Sequence, residues 1–309
     1  MTTALVTHPI CLEHVNPPGH PEQVARLERI LAALDGKTLE RVKAPMAAED
    51  DLLLVHPREY IEMIRDAAPA EGWAQLDGDT FMSPGTLEAA HRAAGGAVRA
   101  VDLVMAGEVA NAFVACRPPG HHAETSTPMG FCFFGTVAIA AKHALEHHGL
   151  NRVAIVDFDV HHGNGTQDLV EADPRILFCS THQSPLFPGT GHAHENGVAN
   201  NVVNVPLADG TGSATFCDVM DNVVLRAVDQ FKPELIIVSA GFDAHAADPL
   251  AGMRLTESDF AWITDRICDL AEAHCKGRVV CSLEGGYDLD ALAASVAAHV
   301  DVLIRRGDG

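Results

Sequence analysis

The residues best suited to carry out chemistry are concentrated in the segment DFDVHHGNGT, residues 157–166. Asp157, Asp159 and His161 occupy alternate positions there, and alternate side chains of an extended chain point to the same face. A carboxylate and an imidazole on one face can bind the same cation. Because Asp and His at a strand end also commonly hydrogen-bond to loop backbone, this segment alone leaves both interpretations open.

A second carboxylate that could reach the same cation is Asp243, in the segment AGFDAHAADP. It follows a different predicted strand and would complete a set of three ligands with Asp159 and His161. Catalytic zinc has three protein ligands and one open position, whereas structural zinc is closed by four. Zinc with an open position lowers the pKa of bound water from about 15.7 to about 7. The set therefore predicts a catalytic zinc, although ferrous iron would accept the same ligands.

Two adjacent imidazoles, His121 and His122, follow the turn R-P-P-G. One can take a proton from the attacking water while the other protonates a leaving amine, provided that their pKa values differ. Asp157 and Asn164 are available to orient the two rings. An aspartate partner favours a cationic ring, and an asparagine partner favours a neutral one.

Tyr287 is one of two tyrosines in the chain and follows Gly285 and Gly286. Two glycines allow the backbone conformations needed to point a phenol into a crevice. A tyrosine hydroxyl can hydrogen-bond to the oxyanion that forms when water attacks an amide carbonyl. Tyr60, the other tyrosine, lies in a helical pattern and is given no catalytic role.

The remaining histidine pairs are interpreted as non-catalytic. His147 and His148 end a predicted helix before Gly149, and we expect them to be solvated and without function. His162 is expected to pack or hydrogen-bond rather than to bind a metal.

The elements that must position these groups alternate between short apolar runs and helical patterns. Predicted strands lie near residue 4 and at 111–116, 152–158, 175–180, 235–241 and 278–286. Predicted helices, the first capped by Thr86, cover 86–105, 134–148, 213–231 and 257–274. Continuously apolar strands belong to a sheet that is buried on both faces. The alternation predicts an α/β fold, a three-layer α/β/α sandwich with a mainly parallel central sheet, whose ligand crevice lies beyond the carboxyl ends of the strands.

Composition narrows the function classes. We expect one catalytic domain over residues 1–309, 47% of them hydrophobic. No apolar run approaches the roughly 18 residues needed to cross a membrane, which predicts that no membrane is involved. A formal charge of −21 disfavours nucleic acid as a partner.

Two further features suggest the compartment. The N-terminus lacks a secretory signal, and the eight cysteines contain no C-x-x-C pair and are interpreted as buried thiols. Together they predict a cytoplasmic location. The sequence is compatible with a homo-oligomer but does not determine the oligomeric state.

Taken together, six segments resemble the motif set of the histone deacetylase and acetylpolyamine amidohydrolase superfamily, with its arginase-like fold. They are RPPGHHA, GFCFF, VDFDVHHGNGT, SPLFPGTG, SAGFDAH..DP and EGGYD, and they occur in the family's order over roughly residues 8–290. Asn164 and the HPEQ..RL segment of residues 20–27 are closer to the class II and bacterial branch of histone-deacetylase-like amidohydrolases. The resemblance implies a zinc-dependent amidohydrolase that removes acetyl or another small acyl group from lysine side chains or similar amines.

The resemblance also implies roles for individual residues. It assigns zinc to Asp159, His161 and Asp243, the acid–base pair to His121 and His122, their orienting partners to Asp157 and Asn164, and transition-state stabilisation to Tyr287. A structural potassium ion would be bound by Asp157, the main-chain oxygens of Asp159 and His161, and Ser180.

The substrate site implied by the resemblance consists of Gly130, Phe131, Phe187 and Leu250, with the two phenylalanines as walls for the acyl-lysine stem. Class II polyamine deacetylases carry Glu where this chain has Leu250, so acyl-lysine is favoured over acetylpolyamine without excluding it. Three other functions are weaker: a ureohydrolase with paired manganese, a catalytically idle binding module, and nucleotide binding by G-N-G-T, which lacks the Lys of a phosphate loop.

Overall fold

The structure is a computed structural model that describes residues 1–308. Its strands are β1 (Thr3–Thr7), β2 (Glu40–Lys43), β3 (Ala74–Gln75), β4 (Phe81–Met82), β5 (Asn111–Val114), β6 (Val153–Asp157), β7 (Ile176–Gln183), β8 (Val202–Leu207), β9 (Leu235–Ala240) and β10 (Val279–Leu283). Its α-helices are α1 (Val24–Ala33), α2 (Glu49–Leu52), α3 (Arg58–Asp66), α4 (Thr86–Ala106), α5 (Thr136–Glu146), α6 (Asn164–Val170), α7 (Ser213–Val219), α8 (Leu225–Phe231), α9 (Glu257–Cys275) and α10 (Leu289–Gly307).

Eight strands form one sheet in the order β2-β1-β5-β10-β9-β6-β7-β8, and every pairing within it is parallel. Helices α4 and α5 pack on the central strands, as do α9 and α10, which also pack on each other. The predicted three-layer α/β/α sandwich is therefore confirmed. The short strands β3 and β4 form a separate antiparallel pair.

The strands in the middle of the sheet are buried along their whole length, as continuously apolar runs predict for a sheet covered on both faces. The edge strands β2 and β8 were not predicted. Both are partly exposed, and their sequences ERVK and VVNVPL include polar residues or proline. Edge strands of this kind lack the continuous apolar pattern by which the central strands were recognised.

The helix boundaries largely follow the predicted periodicity, with one correction. Thr86 does not cap α4, because Gly85 is the capping residue and the Thr86 hydroxyl instead accepts a hydrogen bond from the Ser83 amide at 2.8 Å. Thr256 does cap α9, in a reciprocal arrangement with Asp259. The predicted helix 213–231 consists of α7 and α8 joined by a π-helical turn at Met220–Val224.

The sheet order brings the carboxyl ends of β5, β10, β9, β6 and β7 side by side. The predicted catalytic and zinc-binding residues lie at or just beyond these strand ends, as expected for a parallel sheet: Asp157 is the last residue of β6, and the others follow β5, β6, β9 or β10. The predicted potassium ligand Ser180 lies within β7. No helix among residues 1–308 combines the length and apolarity required to span a membrane. The cysteines are free thiols, and all but the half-buried Cys217 are buried.

Candidate active site

The three predicted metal ligands meet at the carboxyl end of the sheet. Nδ1 of His161 lies 3.2 Å from Oδ1 of Asp159 and 3.0 Å from Oδ2 of Asp243. All three side chains are buried, and one ligand atom from each lies within 4.8 Å of the others. Because β6 and β9 are neighbours in the sheet, the loops carrying Asp159 and Asp243 leave it side by side.

Backbone amides hold the two carboxylates in position. The amide of Gly285 donates to Oδ2 of Asp159, and the amide of Val160 donates to Oδ1 of Asp243, both at 2.8 Å. A Cβ atom at Gly285 would lie 2.1 Å from Oδ2 of Asp243, which is closer than a side chain can approach. Glycine is therefore required at this position for the loop after β10 to pass over the two carboxylates.

The electrostatics of the three ligands favour a cation between them. Burial lowers the pKa of His161, but its hydrogen bonds to Asp159 and Asp243 outweigh this effect and raise the pKa to about 10. Burial and the neighbouring Asp159 raise the pKa of Asp243 to about 7. Two carboxylates and one imidazole in a buried site form a donor set that suits zinc or ferrous iron.

The adjacent histidines have different partners. Nδ1 of His121 lies 3.0 Å from Oδ2 of Asp157, and Nδ1 of His122 lies 2.7 Å from Oδ1 of Asn164. Burial lowers the pKa of His121, but the charges of Asp159 and Asp157 outweigh it and raise the pKa well above its usual value. Burial, followed by the charges of His121 and His161, lowers the pKa of His122 well below its usual value. The two rings thus favour opposite protonation states.

A cavity of about 560 Å³ leads to this cluster. His122, His161 and Tyr287 line it, together with the predicted substrate residues Gly130, Phe131, Phe187 and Leu250. His121 and the carboxylates of Asp159 and Asp243 are not among its lining residues. Of the histidine pair, only His122 therefore faces the space where a substrate would lie.

The aromatic walls and the phenol lie close to one another. The Phe131 ring lies 5.9 Å from the Tyr287 ring, and the Phe187 ring lies 5.1 Å from the His122 ring, between centroids. Phe131 has a φ of 69°, which is unfavourable for a residue with a side chain and is found at functional sites when the surroundings enforce it. Tyr287 is 8% exposed, and burial raises the pKa of its hydroxyl well above the usual value despite the opposing charge of Arg26.

The residues predicted to bind potassium also lie together. Asp157 and Ser180 are paired in the register of β6 and β7, and both are fully buried. The Asp157 carboxylate accepts the amide of Asp159 at 3.0 Å, and the Ser180 hydroxyl lies 2.9 Å from Nδ1 of His182.

The histidines and the tyrosine that were predicted to have no catalytic or metal-binding role contact other groups. The two ring nitrogens of His162 lie 2.8 Å from the Thr190 hydroxyl and 3.0 Å from Oε1 of Gln167, as expected for a hydrogen-bonding residue. The Tyr60 hydroxyl donates to the Phe133 carbonyl at 2.6 Å. His147 is exposed, as expected, but His148 is half-buried and its Nε2 lies 2.8 Å from Oδ1 of Asp102, so the prediction that His148 is solvated is wrong.

Sequence reasoning missed Glu284, which supports the histidine loop. Its carboxylate accepts the amides of Gly120 at 2.7 Å and His121 at 3.1 Å, and it is fully buried. Burial raises its pKa to about 7. Glu284 is the first residue of the family motif EGGYD, so the sequence marked the segment. The amides that it accepts belong to a loop more than 160 positions away, which the sequence does not place beside it.

Three further residues around the cavity were not assigned from the sequence. Arg26 donates to the carbonyls of Gly286 at 2.6 Å and Glu284 at 2.5 Å, and its guanidinium lies 4.9 Å from the Tyr287 ring centroid. His20 and Asp79 line the cavity. Arg26 and His20 belong to the HPEQ..RL segment of residues 20–27, which resembles the class II and bacterial branch of the family but received no predicted role in the site.

Comparison with known proteins agrees with this geometry. Residues 20–303 match the family model for the histone deacetylase domain. A histone deacetylase-like amidohydrolase of Pseudomonas aeruginosa is 42% identical, the alignment covering 88% of this chain and 74% of that protein. A human protein named polyamine deacetylase HDAC10 is 38% identical, over 91% of this chain and 45% of that protein.

A solved structure is also similar to this chain along nearly its whole length. The crystal structure of the HDA15 HD domain superposes with a TM-score of 0.93 at 33% identity, covering 99% of this chain and 89% of that chain. With the family model matching most of the sequence, the chain belongs to the histone deacetylase family.

Proposed function

We propose that residues 1–309 form one catalytic domain, a zinc-dependent amidohydrolase that removes acetyl or another small acyl group from lysine side chains or similar amines. One observation carries the proposal. The ligands Asp159, His161 and Asp243 converge beneath a cavity that is lined by His122 and Tyr287 and walled by Phe131 and Phe187.

Zinc bound by the three ligands would supply Lewis acidity, activating a water and polarising the amide carbonyl. Ferrous iron would serve with the same donors. Both carboxylates are already fixed by backbone amides, so little reorganisation of the protein is required on binding.

The two histidines have different roles in the proposed mechanism. His122 is neutral because burial and the positive charge of His121 lower its pKa, so it can accept the proton of the attacking water. Since His122 is the member of the pair that lines the cavity, it also returns this proton to the leaving amine. His121 remains cationic beside Asp157 and stabilises the negative charge that develops nearby.

Tyr287 completes the site. Burial keeps its hydroxyl protonated, and a protonated phenol can donate a hydrogen bond to the oxyanion of the substrate carbonyl. Arg26, stacked on the phenol ring, holds the ring against the cavity.

The rest of the cavity suits a long apolar linker that ends in an amide. Phe131 and Phe187 would contact its methylene groups, Gly130 leaves room beside His122, and Leu250 provides an apolar contact at the cavity wall. A potassium ion held by Asp157, Ser180 and the main-chain oxygens of Asp159 and His161 would stabilise the loop after β6. The cytoplasmic location stays a prediction.

A second candidate substrate is an acetylated polyamine. Leu250 offers no charge to a cationic chain, which favours acyl-lysine, but Asp79 is a carboxylate that also lines the cavity. The two substrates can be distinguished by comparing kcat/KM for an acetyl-lysine peptide, N-acetylputrescine and N-acetylspermidine.

The central experiment combines metal analysis with activity. The purified protein should contain at least one zinc or iron per chain, lose amide hydrolysis on chelation and regain it with Zn²⁺. The Asp243→Asn variant should lose one equivalent of metal per chain together with the activity. A folded protein that binds no metal and hydrolyses none of the three substrates would refute the proposal.

A further inference from the structure

A second group of potential metal ligands lies away from the cavity. We name it the α5 histidine cluster: Asp51 of α2, Asp102 of α4, and His143, His147 and His148 at the end of α5. None of these residues lines the active-site cavity. The mechanism above does not use them.

Three of these side chains present ligand atoms to one point. Oδ1 of Asp102 lies 2.9 Å from Nε2 of His143 and 2.8 Å from Nε2 of His148. The three ligand atoms all lie within 4.8 Å of one another. One carboxylate and two imidazoles are a common ligand set for zinc, cobalt, nickel and iron, whereas magnesium and calcium prefer oxygen ligands only.

Asp51 provides the support that a metal-binding imidazole requires. Nδ1 of His143 lies 2.9 Å from Oδ1 of Asp51, so the Nδ1 proton is directed to this carboxylate and Nε2 is left facing Asp102. Metal-binding histidines almost always donate their second ring N–H to a carboxylate, carbonyl or water, which fixes the tautomer. His143 is held in this way, and its side chain is only 9% exposed.

The negative charge of Asp51 and Asp102 in the cluster favours a bound cation. Among residues 1–308, Asp51 and Asp102 form ion pairs with histidines and with no lysine or arginine. With neutral rings the cluster would carry two negative charges in a partly buried place, which is unfavourable without compensation.

We propose that Asp102, His143 and His148 form a second divalent metal site, which takes a borderline transition-metal ion such as Zn²⁺ or Co²⁺ through Oδ1, Nε2 and Nε2. Water fills the remaining coordination positions, since the side chains of Asp102 and His148 are 36% and 25% exposed. The ion replaces the proton shared between His143 and Asp102. It ties α4 to the end of α5.

The alternative trio of Asp51, His143 and His147 is less suitable, although its ligand atoms are also within 4.8 Å. The rings of His143 and His147 are stacked, with 4.5 Å between centroids and 19° between planes. The lone pairs of ring nitrogens lie in the ring plane, so two stacked rings direct them along nearly parallel planes rather than to one point. The trio with His148, whose ring is inclined by 67° to that of His143, allows them to converge.

The test uses the full chain, first loaded with zinc at the catalytic site. Co²⁺ is titrated into it, with heat and visible absorption as readouts. The wild-type protein should bind one equivalent more than His148→Ala or Asp102→Asn. Asp51→Asn should keep this equivalent but bind it about 10- to 100-fold more weakly, as expected for loss of a supporting carboxylate.

The matched control is His274→Ala, because Nε2 of His274 lies 2.8 Å from Oδ1 of the single carboxylate Asp229 in an exposed pair. This variant should bind as many equivalents as wild type. Hydrolysis of the acyl substrate by His148→Ala should be unchanged, which shows that the variant is folded with its catalytic centre intact. Equal Co²⁺ stoichiometry for wild type and both ligand variants would overturn the proposal and leave a proton as the only cation in the cluster.

Discussion

The buried carboxylate of Asp157 lies 3.0 Å from Nδ1 of His121. One residue further along the chain, His122 has a neutral amide in the equivalent position. Two imidazoles whose centroids are only 4.0 Å apart therefore have opposite pKa shifts, raised for His121 and lowered for His122. The separated pKa values place a neutral base, His122, beside a fixed positive charge, His121, as the proposed mechanism requires.

Replacing Asn164 by Asp should impair the base. A carboxylate 2.7 Å from Nδ1 would favour the cationic ring and raise the pKa of His122. A base must be neutral to accept a proton, so activity is lost as pH falls through its pKa. The acidic limb of the kcat/KM profile should move to higher pH, with a greater loss at pH 6 than at pH 8. An unchanged profile in a folded variant would remove His122 from the role of base.

The two tyrosines allow a paired test of the phenol. Tyr287→Phe should lower kcat by about 10²- to 10³-fold with little change in KM, because it removes a hydrogen bond to the developing oxyanion. Tyr60→Phe should keep kcat and lower the free energy of unfolding by about 1 kcal/mol, since it loses a buried hydrogen bond to the Phe133 carbonyl. Equal kcat for the two variants would contradict the role of Tyr287.

Leu250 provides a test of substrate preference. Leu250→Glu places a carboxylate at the cavity wall and should raise kcat/KM for N-acetylspermidine relative to an acetyl-lysine peptide by about tenfold, which corresponds to about 1.4 kcal/mol. Leu250→Gln is the neutral control of the same size. If both variants shift the ratio equally, the effect comes from shape and not from charge.

The stability of the fold should depend on pH through His299. Its ring is fully buried, close to the rings of Phe113 and Phe242, and burial lowers its pKa to about 3. Below the unfolded value of 6.5 the unfolded chain binds a proton that the folded chain excludes. The stability that this neutral histidine contributes is therefore complete above pH 6.5 and lost as pH falls towards 3.

His299→Asn removes this titration. Between pH 6 and pH 4.5 the free energy of unfolding should decrease less steeply in the variant than in wild type, by about 1.4 kcal/mol per pH unit. Urea unfolding at several pH values measures the two slopes. Parallel curves would mean that His299 is already charged in the folded protein.

The sequence by itself was sufficient to predict the layered α/β fold. Buried central strands show short continuous apolar runs and amphipathic helices show apolar residues every three or four positions, and both patterns can be recognised from neighbouring residues alone. The sequence also predicted that Asp159 and His161 share a face, and that Asp243 leaves the same edge of the sheet. The family motifs indicated the histidine pair, Tyr287 and the substrate walls. Each of these inferences depends on short segments.

The tertiary structure decided everything that depends on the order of the strands. Only the neighbouring positions of β6 and β9 show that Asp243 reaches His161, and only the packing of the loops shows that His122 faces the cavity and His121 does not. The edge strands β2 and β8 were not predicted, because partly exposed strands lack the continuous apolar run by which the central strands were recognised.

The α5 histidine cluster shows the same division. The spacing of His143, His147 and His148 is visible in the sequence, which predicts a solvated helix end for His147 and His148 only. Asp51 and Asp102 come from two other helices, 92 and 41 positions away from His143. Contacts at such separations are set by how helices pack on the sheet, and a single sequence carries no local signal for them.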